Sequence, residues 1–450
     1  MKVAVIGAGI GGLTAALRLA QAGHEVTVLD GGARPGGVLG TSRVDGFLRE
    51  HAATAVLAGA EHGLASLCDE LGVALEAASP AARRRWIWID GKLRALPTNP
   101  IAFARSDLLT WRGKLDLLRE PLRPARRIAA QGDESVHEWA ARRFGPEVAR
   151  AIVAPFVTGV YAADAHDVSL EAGFPRLAAL EDRGGVVRGI LAQLRERRAD
   201  GARRRRPRGR LVAPVGGMQA VVDALVARLR GRVRLGIEVT AIDPGEEGVT
   251  VAIGGSGERY DAAVLAVPAR QAARLLEGAV PVLAARLGEL QRAPAAIAYL
   301  GYDRARVEHP LDGFGFLVAQ GEDLRVLGVV FESVVWSGRA PDDAVLFRCI
   351  FAGARDPGAF DLDDGALIAQ ARQDLERAVG AVGAPRHASV VRWRDGVAQY
   401  PVGHAKRVAA LDSQAQSRRL VLAGAAYHGA AVNDLCADAA RVEEAVGRWR

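Results

Sequence analysis

The stretch KVAVIGAGIGGLTAALRLAQAGHEVTVLD, residues 2–30, decides the fold. Its first five residues are a short apolar, β-branched run. Glycines follow, then a segment with helical spacing that ends in a glycine, then EVTVLD as a second strand. The spacing predicts a βαβ unit. Gly7, Gly9 and Gly12 match G-x-G-x-x-G, in which missing side chains allow a tight turn, close backbone approach to a pyrophosphate, and packing of helix on strand. The intervening Ala8, Ile10 and Gly11 are assigned to the same binding turn. Asp30 ends the second strand, where an acid accepts hydrogen bonds from a ribose. The expectation is a dinucleotide site; the alternative is a glycine-rich turn with no ligand.

Working outward, GGARPGG places Arg34 before Gly36 and Gly37, a continuation shared by many flavoproteins, and it moves the expected cofactor from NAD to FAD. Residues 210–229 and 233–253 read as a helix followed by strands of the same domain, with Val239 assigned to the cofactor. A strand ends at Ala266-Val267-Pro268. RLVLAGAAYHGAAVNDLCADAARVEEAV then supplies a strand, a glycine turn at Gly424 and a final helix beginning near Val432. The fold class expected is α/β, α+β overall. A discontinuous Rossmann-like FAD-binding domain (1–80, 205–269, 410–450) accompanies a mixed β-sheet substrate domain (81–97, 270–409) and a helical, membrane-associating domain (98–204). The helical part rests on segments such as ESVHEWAARRFGPEVARAIVAPFVTGVY, and the sheet on AAIAYLGY, GFGFLVA, RVLGVVF, AVLFRCIFAGA and HASVVRW.

At 450 residues, half of them hydrophobic and a quarter charged, the chain has the make-up of a multidomain globular enzyme. Lys+Arg 59 against Asp+Glu 52 gives +7, and arginine supplies all but four of the cations. Cys68, Cys349 and Cys436 stand far apart, in no disulfide or metal-ligand spacing, so a reducing compartment and no metal are expected. The N-terminus shows no signal peptide, and no uncharged run approaches the ~20 residues of a membrane span.

The stretch AARRRWIWIDGKLRALP from Ala81 sets three arginines before an apolar strand. With "AVIGAGIGGLTAA", "GVYAADAHDVSLEAGFP", "PVGGMQAVVDAL", "LDGFGFLVA", "VAQYPVGH" and "YHGAAVND", it makes the chain resemble the protoporphyrinogen oxidase family, flavoproteins of the monoamine oxidase and phytoene desaturase superfamily, over nearly its whole length. The resemblance implies oxygen-dependent, six-electron oxidation of protoporphyrinogen IX in three FAD cycles, with dioxygen the acceptor and peroxide a product. It implies that Arg85 grips a propionate of the tetrapyrrole, as a guanidinium can do bidentately. Side chains alternate across a strand, so Arg85 and Trp86 are expected on opposite faces; Arg83 and Arg84 are read as surface charge. Leu317, Val330 and Ile350 match apolar positions around the macrocycle and Gly159 a backbone close to it, although for Val330 and Ile350 ordinary sheet core is an equal reading. Gly424, Val432 and Asn433 are assigned to the flavin. No protein side chain is expected to be catalytic, and His404 is read as shaping a turn.

Two departures from the family pattern stand out: EHAATA at Glu50–Ala55, and Ala430 and Ala431 where glycines are usual. Coproporphyrinogen III, an amine or carotenoid substrate, or non-enzymatic porphyrin binding are the alternatives. Twelve Lys/Arg against four acids between Ala81 and Ala130, and eleven arginines against two acids between Arg183 and Arg210, flank the helical segment. With the resemblance they imply peripheral attachment to anionic lipid at the cytoplasmic face of the membrane. No aromatic residue interleaves RADGARRRRPRGR, which argues against nucleic acid. A homodimer is left open.

Overall fold

The computed structural model describes residues 1–97, 99–126, 132–199 and 209–449. Most of RADGARRRRPRGR lies outside the described residues. Strand Lys2–Ile6 is the centre of a five-stranded parallel sheet with the order Val233–Leu235, Glu25–Asp30, Lys2–Ile6, Ala262–Leu265, Leu420–Leu422. Its alternation explains why residues 3–6 are all apolar. Val3 and Val5 face a core built with the helices Ile10–Gln21, Gln219–Leu229 and Val432–Gly447. Ala4 and Ile6 face a second core under the three-stranded antiparallel sheet of residues 239–260 and the helices Ala269–Leu276, Pro281–Gly288 and His404–Gln416. A parallel sheet covered on both faces buries both sets.

A seven-stranded sheet runs His387–Ala398, Arg292–Asp303, Ala344–Ala352, Gly328–Phe331, Gly315–Val318, Trp86–Ile89, Lys92–Ala95. It is antiparallel except where Phe316 pairs with Trp86 in parallel register, so the sheet is mixed. The five strand-like runs read from the sequence all lie in it. Trp88, Ala298, Leu300, Phe347 and Cys349 point to one face, against the helix Asp364–Val379. Ile87 and Ile89 point to the other, against Leu108, Leu109, Val148 and Ala151 of the helical segment.

That segment includes Trp111–Leu118, Val136–Phe144, Ala154–Tyr161, Pro175–Asp182 and Val186–Ala199. Ser135 and Glu138 close a reciprocal cap on the second of these. Fully buried Arg143 pairs with Glu120 and, at 3.2 Å, with Glu181; Arg142 binds Glu134 at 2.6 Å and Glu181 at 3.0 Å. Such charges stay buried because each has an opposite neighbour. Among the described residues no helix is long and apolar enough to cross a membrane. The α/β fold class, with its helical part, is thus the one observed.

Candidate functional site

A cavity of about 400 Å³ opens at the carboxyl ends of the parallel strands, lined by Gly7, Gly9, Ile10, Gly11, Asp30, Gly36, Gly37, Val239 and Gly424 among others. Open parallel sheets bind ligands there. Each glycine of the turn has its own reason. A Cβ on Gly7, at φ +110°, would sit 2.6 Å from the Ala266 carbonyl, and one on Gly12 would lie 2.1 Å from the Gly7 carbonyl. These two let helix and turn close up. Gly9 would meet nothing within 4 Å, so its backbone is bare to the cavity, as an approaching phosphate requires. The Asp30 carboxylate accepts from the amides of Ala8 (2.6 Å) and Gly32 (2.7 Å), tying the turn to the strand end.

The remaining nucleotide-side assignments divide. Ala8 and Gly12 shape the turn from behind. Arg34 braces its own loop, donating to the carbonyls of Gly37 (2.8 Å) and Leu39 (2.7 Å). Val432 is buried in the core, and the Asn433 amide joins the Leu57 carbonyl to the Leu64 amide. Neither of these last two lines the cavity. Sequence reasoning passed over Arg292, Gln271, Ala425, Ala426 and Leu435, which do. The departures at Ala52, Ala53 and Ala430 pack against the two neighbouring cores, and none of them, nor Ala431, faces the cavity. A bare glycine backbone, an acid at the strand end and a half-buried cation, Arg292, on the wall suit a bound FAD.

The second set lies on one face of the seven-stranded sheet. Ile350 pairs across to Gly328, Gly328 to Leu317 and Leu317 to Ile87, giving one row; Arg348, Val330, Gly315 and the position of Arg85 give the next. Gly159 closes over this face, where a Cβ would lie 2.9 Å from Leu317 Cδ2. Leu317, Val330 and Ile350 are all half-buried. Arg85 is exposed, its guanidinium 5.3 Å from the Phe314 ring, and among the described residues no carboxylate pairs with it. Its neighbours differ: Arg84 pairs with Asp312 and lies over Trp86, on the opposite face.

Arg348, the other guanidinium of the row, is committed. It donates to Thr54 Oγ1 at 3.0 Å and to the Ala52 carbonyl, and stands 4.0 Å from Glu332. Burial pushes the Glu332 carboxyl up, against the pull of Arg348 and Arg339. Arg339 in turn binds Glu50 at 2.7 Å. This buried network fixes the Glu50–Ala55 segment, and no local sequence signal links residues nearly 300 positions apart.

His404 is buried and stacked on Tyr400, with ring centroids 4.2 Å apart. Burial lowers its pKa to about 4, so at neutral pH it is uncharged. Tyr400 donates to the Ala425 carbonyl (2.8 Å) and accepts from the Gly429 amide (2.9 Å), so the pair props the loop that lines the cavity.

A family model described as flavin containing amine oxidoreductase matches residues 10–438. Protoporphyrinogen oxidase of Bos taurus is 30% identical, with 98% of this chain and 96% of that protein covered. Coproporphyrinogen III oxidase of Mycobacterium leprae (strain TN) is 31% identical over 98% of this chain and 97% of its own. A solved structure of a provisionally named protoporphyrinogen oxidase from Exiguobacterium sp. 255-15 superposes with a TM-score of 0.85 at 24% identity, covering 100% and 99% of the two chains.

Proposed function

Because the chain belongs to the flavin containing amine oxidoreductase family, an FAD-dependent oxidoreductase, we propose that it oxidises protoporphyrinogen IX to protoporphyrin IX with dioxygen as acceptor. The observation that carries this reading is the half-buried apolar sheet face with, among the described residues, one unpaired guanidinium at its rim. A flat, greasy ligand with a carboxylate on one edge is what such a surface takes. Leu317, Val330, Ile350 and Gly159 would confine the ring system and exclude water, while Arg85 would fix its rotation by a charge-assisted pair.

FAD, when bound, supplies the hydride acceptor for a tetrapyrrole methylene bridge. The residues that would hold it are the Gly7–Gly12 turn, Asp30, Gly36, Gly37, Val239 and Gly424. The chain's own work is then orientation: two rows of side chains present the substrate, and the propped Gly424–Gly429 loop keeps the neighbouring wall in place. On this reading residues 81–97 and 270–409 form the substrate domain and the nucleotide domain comprises 1–80, 205–269 and 410–450.

Only one cation on the substrate face is free of a partner among the described residues, which favours a dicarboxylate over the tetracarboxylate coproporphyrinogen III. Side-by-side turnover of the two porphyrinogens tests this. Faster oxidation of protoporphyrinogen supports the reading, and a clear preference for the tetracarboxylate overturns it.

The segment 98–204 is proposed to rest on anionic lipid at the cytoplasmic face of the membrane. Ile101, Trp111, Leu118 and Leu122 expose two-thirds or more of their surface there, and the basic residues around them each gain about 1 kcal/mol near such a surface. The protein should sediment with anionic vesicles at low salt and be released at high salt. If it stays in the supernatant at low salt, the membrane reading fails.

A further inference from the structure

Arg292 opens the strand Arg292–Asp303, where the seven-stranded sheet meets the nucleotide cavity that this residue lines. Its Nε donates to the Asp395 carbonyl (2.9 Å) and its Nη2 to the Gly396 carbonyl (3.2 Å). Gly396 permits that approach, since a Cβ there would lie 2.9 Å from Ala295 Cβ. Among the described residues no carboxylate forms an ion pair with Arg292. Burial presses its pKa down, opposed by Asp395, Tyr427 and Tyr400 at longer range, yet a guanidinium keeps its proton in a protein. A half-buried positive charge on a cavity wall, answered among the described residues by two carbonyl dipoles, leaves a guanidinium face for a ligand's negative charge to complete.

The position of Arg292 in the cavity says which part of the ligand that is. Asp30 marks the ribose end. The carbonyls that hold Arg292 lie on the strand His387–Ala398, which leads to Tyr400 and, through its hydroxyl, to Ala425, which also lines the cavity. The same sheet carries the Leu317–Ile350 face, so Arg292 belongs to the part of the cavity wall that this sheet supplies, the side from which a bound flavin would meet its substrate.

We propose that Arg292 is a fixed cation that sets the reduction potential of the bound flavin. Uptake of a hydride, two electrons and a proton, leaves the ring more negative, and a held positive charge in a site of low dielectric favours that form. The carbonyl clamp supplies rigidity, so the charge need not reorganise when the ring is reduced.

The inference rests on the FAD reading, and the experiment separates the two. Wild type, Arg292→Lys and Arg292→Met are purified, their bound flavin is measured by absorbance, and the midpoint potential is read by anaerobic equilibration with indicator dyes. Arg292→Met should shift the reduction equilibrium at least tenfold toward the oxidised form, about 30 mV for a two-electron couple, while Arg292→Lys stays within threefold of wild type. Should the methionine variant not retain flavin, Arg292→Gln, which keeps a donor for the carbonyls, takes its place in the comparison. A neutral variant that holds flavin at the wild-type potential overturns the inference, as do lysine and neutral variants that fall equally, since packing would then be the cause. A wild-type protein that binds no flavin overturns the cofactor reading itself.

Discussion

Arg85→Ala removes the one cation of the proposed substrate face that lacks a partner among the described residues, and the size of the effect follows from its exposure. A hydrogen bond to a charged group contributes about 1.5–3 kcal/mol. Arg85 is exposed, so solvent screening places its pair with a carboxylate near the lower figure. At about 1.4 kcal/mol per decade, KM for protoporphyrinogen should rise roughly tenfold. The carboxylate is remote from the methylene that reacts, so the interaction is as strong in the bound substrate as in the transition state. Uniform binding of that kind leaves kcat within about threefold. Arg85→Lys keeps a point charge without the planar fork and should fall between the two. The assay follows the appearance of porphyrin fluorescence from anaerobically prepared protoporphyrinogen at several concentrations, with the uncatalysed rate subtracted. Arg83→Ala, an exposed cation two residues away, serves as the charge-matched control. The reasoning is refuted if Arg85→Ala keeps the wild-type KM, or if Arg83→Ala raises it equally.

Gly12→Ala should cost about 1–3 kcal/mol of stability by overpacking, because its methyl meets the Gly7 carbonyl at 2.1 Å; Gly9→Ala should leave the urea midpoint unchanged yet lower flavin retention through gel filtration, since its methyl projects only into the cavity. Arg143→Met strands the buried Glu120 carboxylate and leaves Glu181 with Arg142 as its ion-pair partner, and should lower stability by about 3–5 kcal/mol; urea unfolding at pH 7 checks it, and a loss below 1 kcal/mol refutes it. His404 is held neutral in the fold, its pKa lowered from 6.5 to about 4. The unfolded chain therefore takes up the proton first, and stability is lost as pH falls from 6.5 toward 4, by about 3 kcal/mol at most. His404→Asn should show a flatter fall across that window, and parallel slopes for the two proteins would contradict the assignment.

Local chemistry was readable in the residues where it is local in the chain. The opening βαβ unit could be read because three glycines, a β-branched run and a terminal acid sit within thirty positions. Arg85 and Trp86 could be assigned to opposite faces because a strand alternates. What escaped depends on distant segments meeting. Arg292 reads as an ordinary strand start, and only the carbonyls of Asp395 and Gly396, a hundred residues on, turn it toward the cavity. Asn433 sits in a motif that pointed to the cofactor, yet its amide is taken by Leu57 and Leu64. Likewise Glu50 and Glu332 look like surface acids until Arg339 and Arg348 arrive from another strand and loop. Periodicity carries no information about such partners, because desolvation and pairing are decided by tertiary neighbours.

The parallel sheet under the cavity draws its five strands from residues 2–6, 25–30, 233–235, 262–265 and 420–422. During synthesis its first strands emerge early, but an edge strand waits until residues 420–422 are made, with the second sheet and the helical part made in between. The nascent chain therefore carries an open, pairable edge through most of translation, a hazard for misassembly that grows with the intervening length. The cavity is complete only once Gly424 and Leu435 have been made, so holoprotein yield depends on how well that edge is shielded before the strand 420–422 docks.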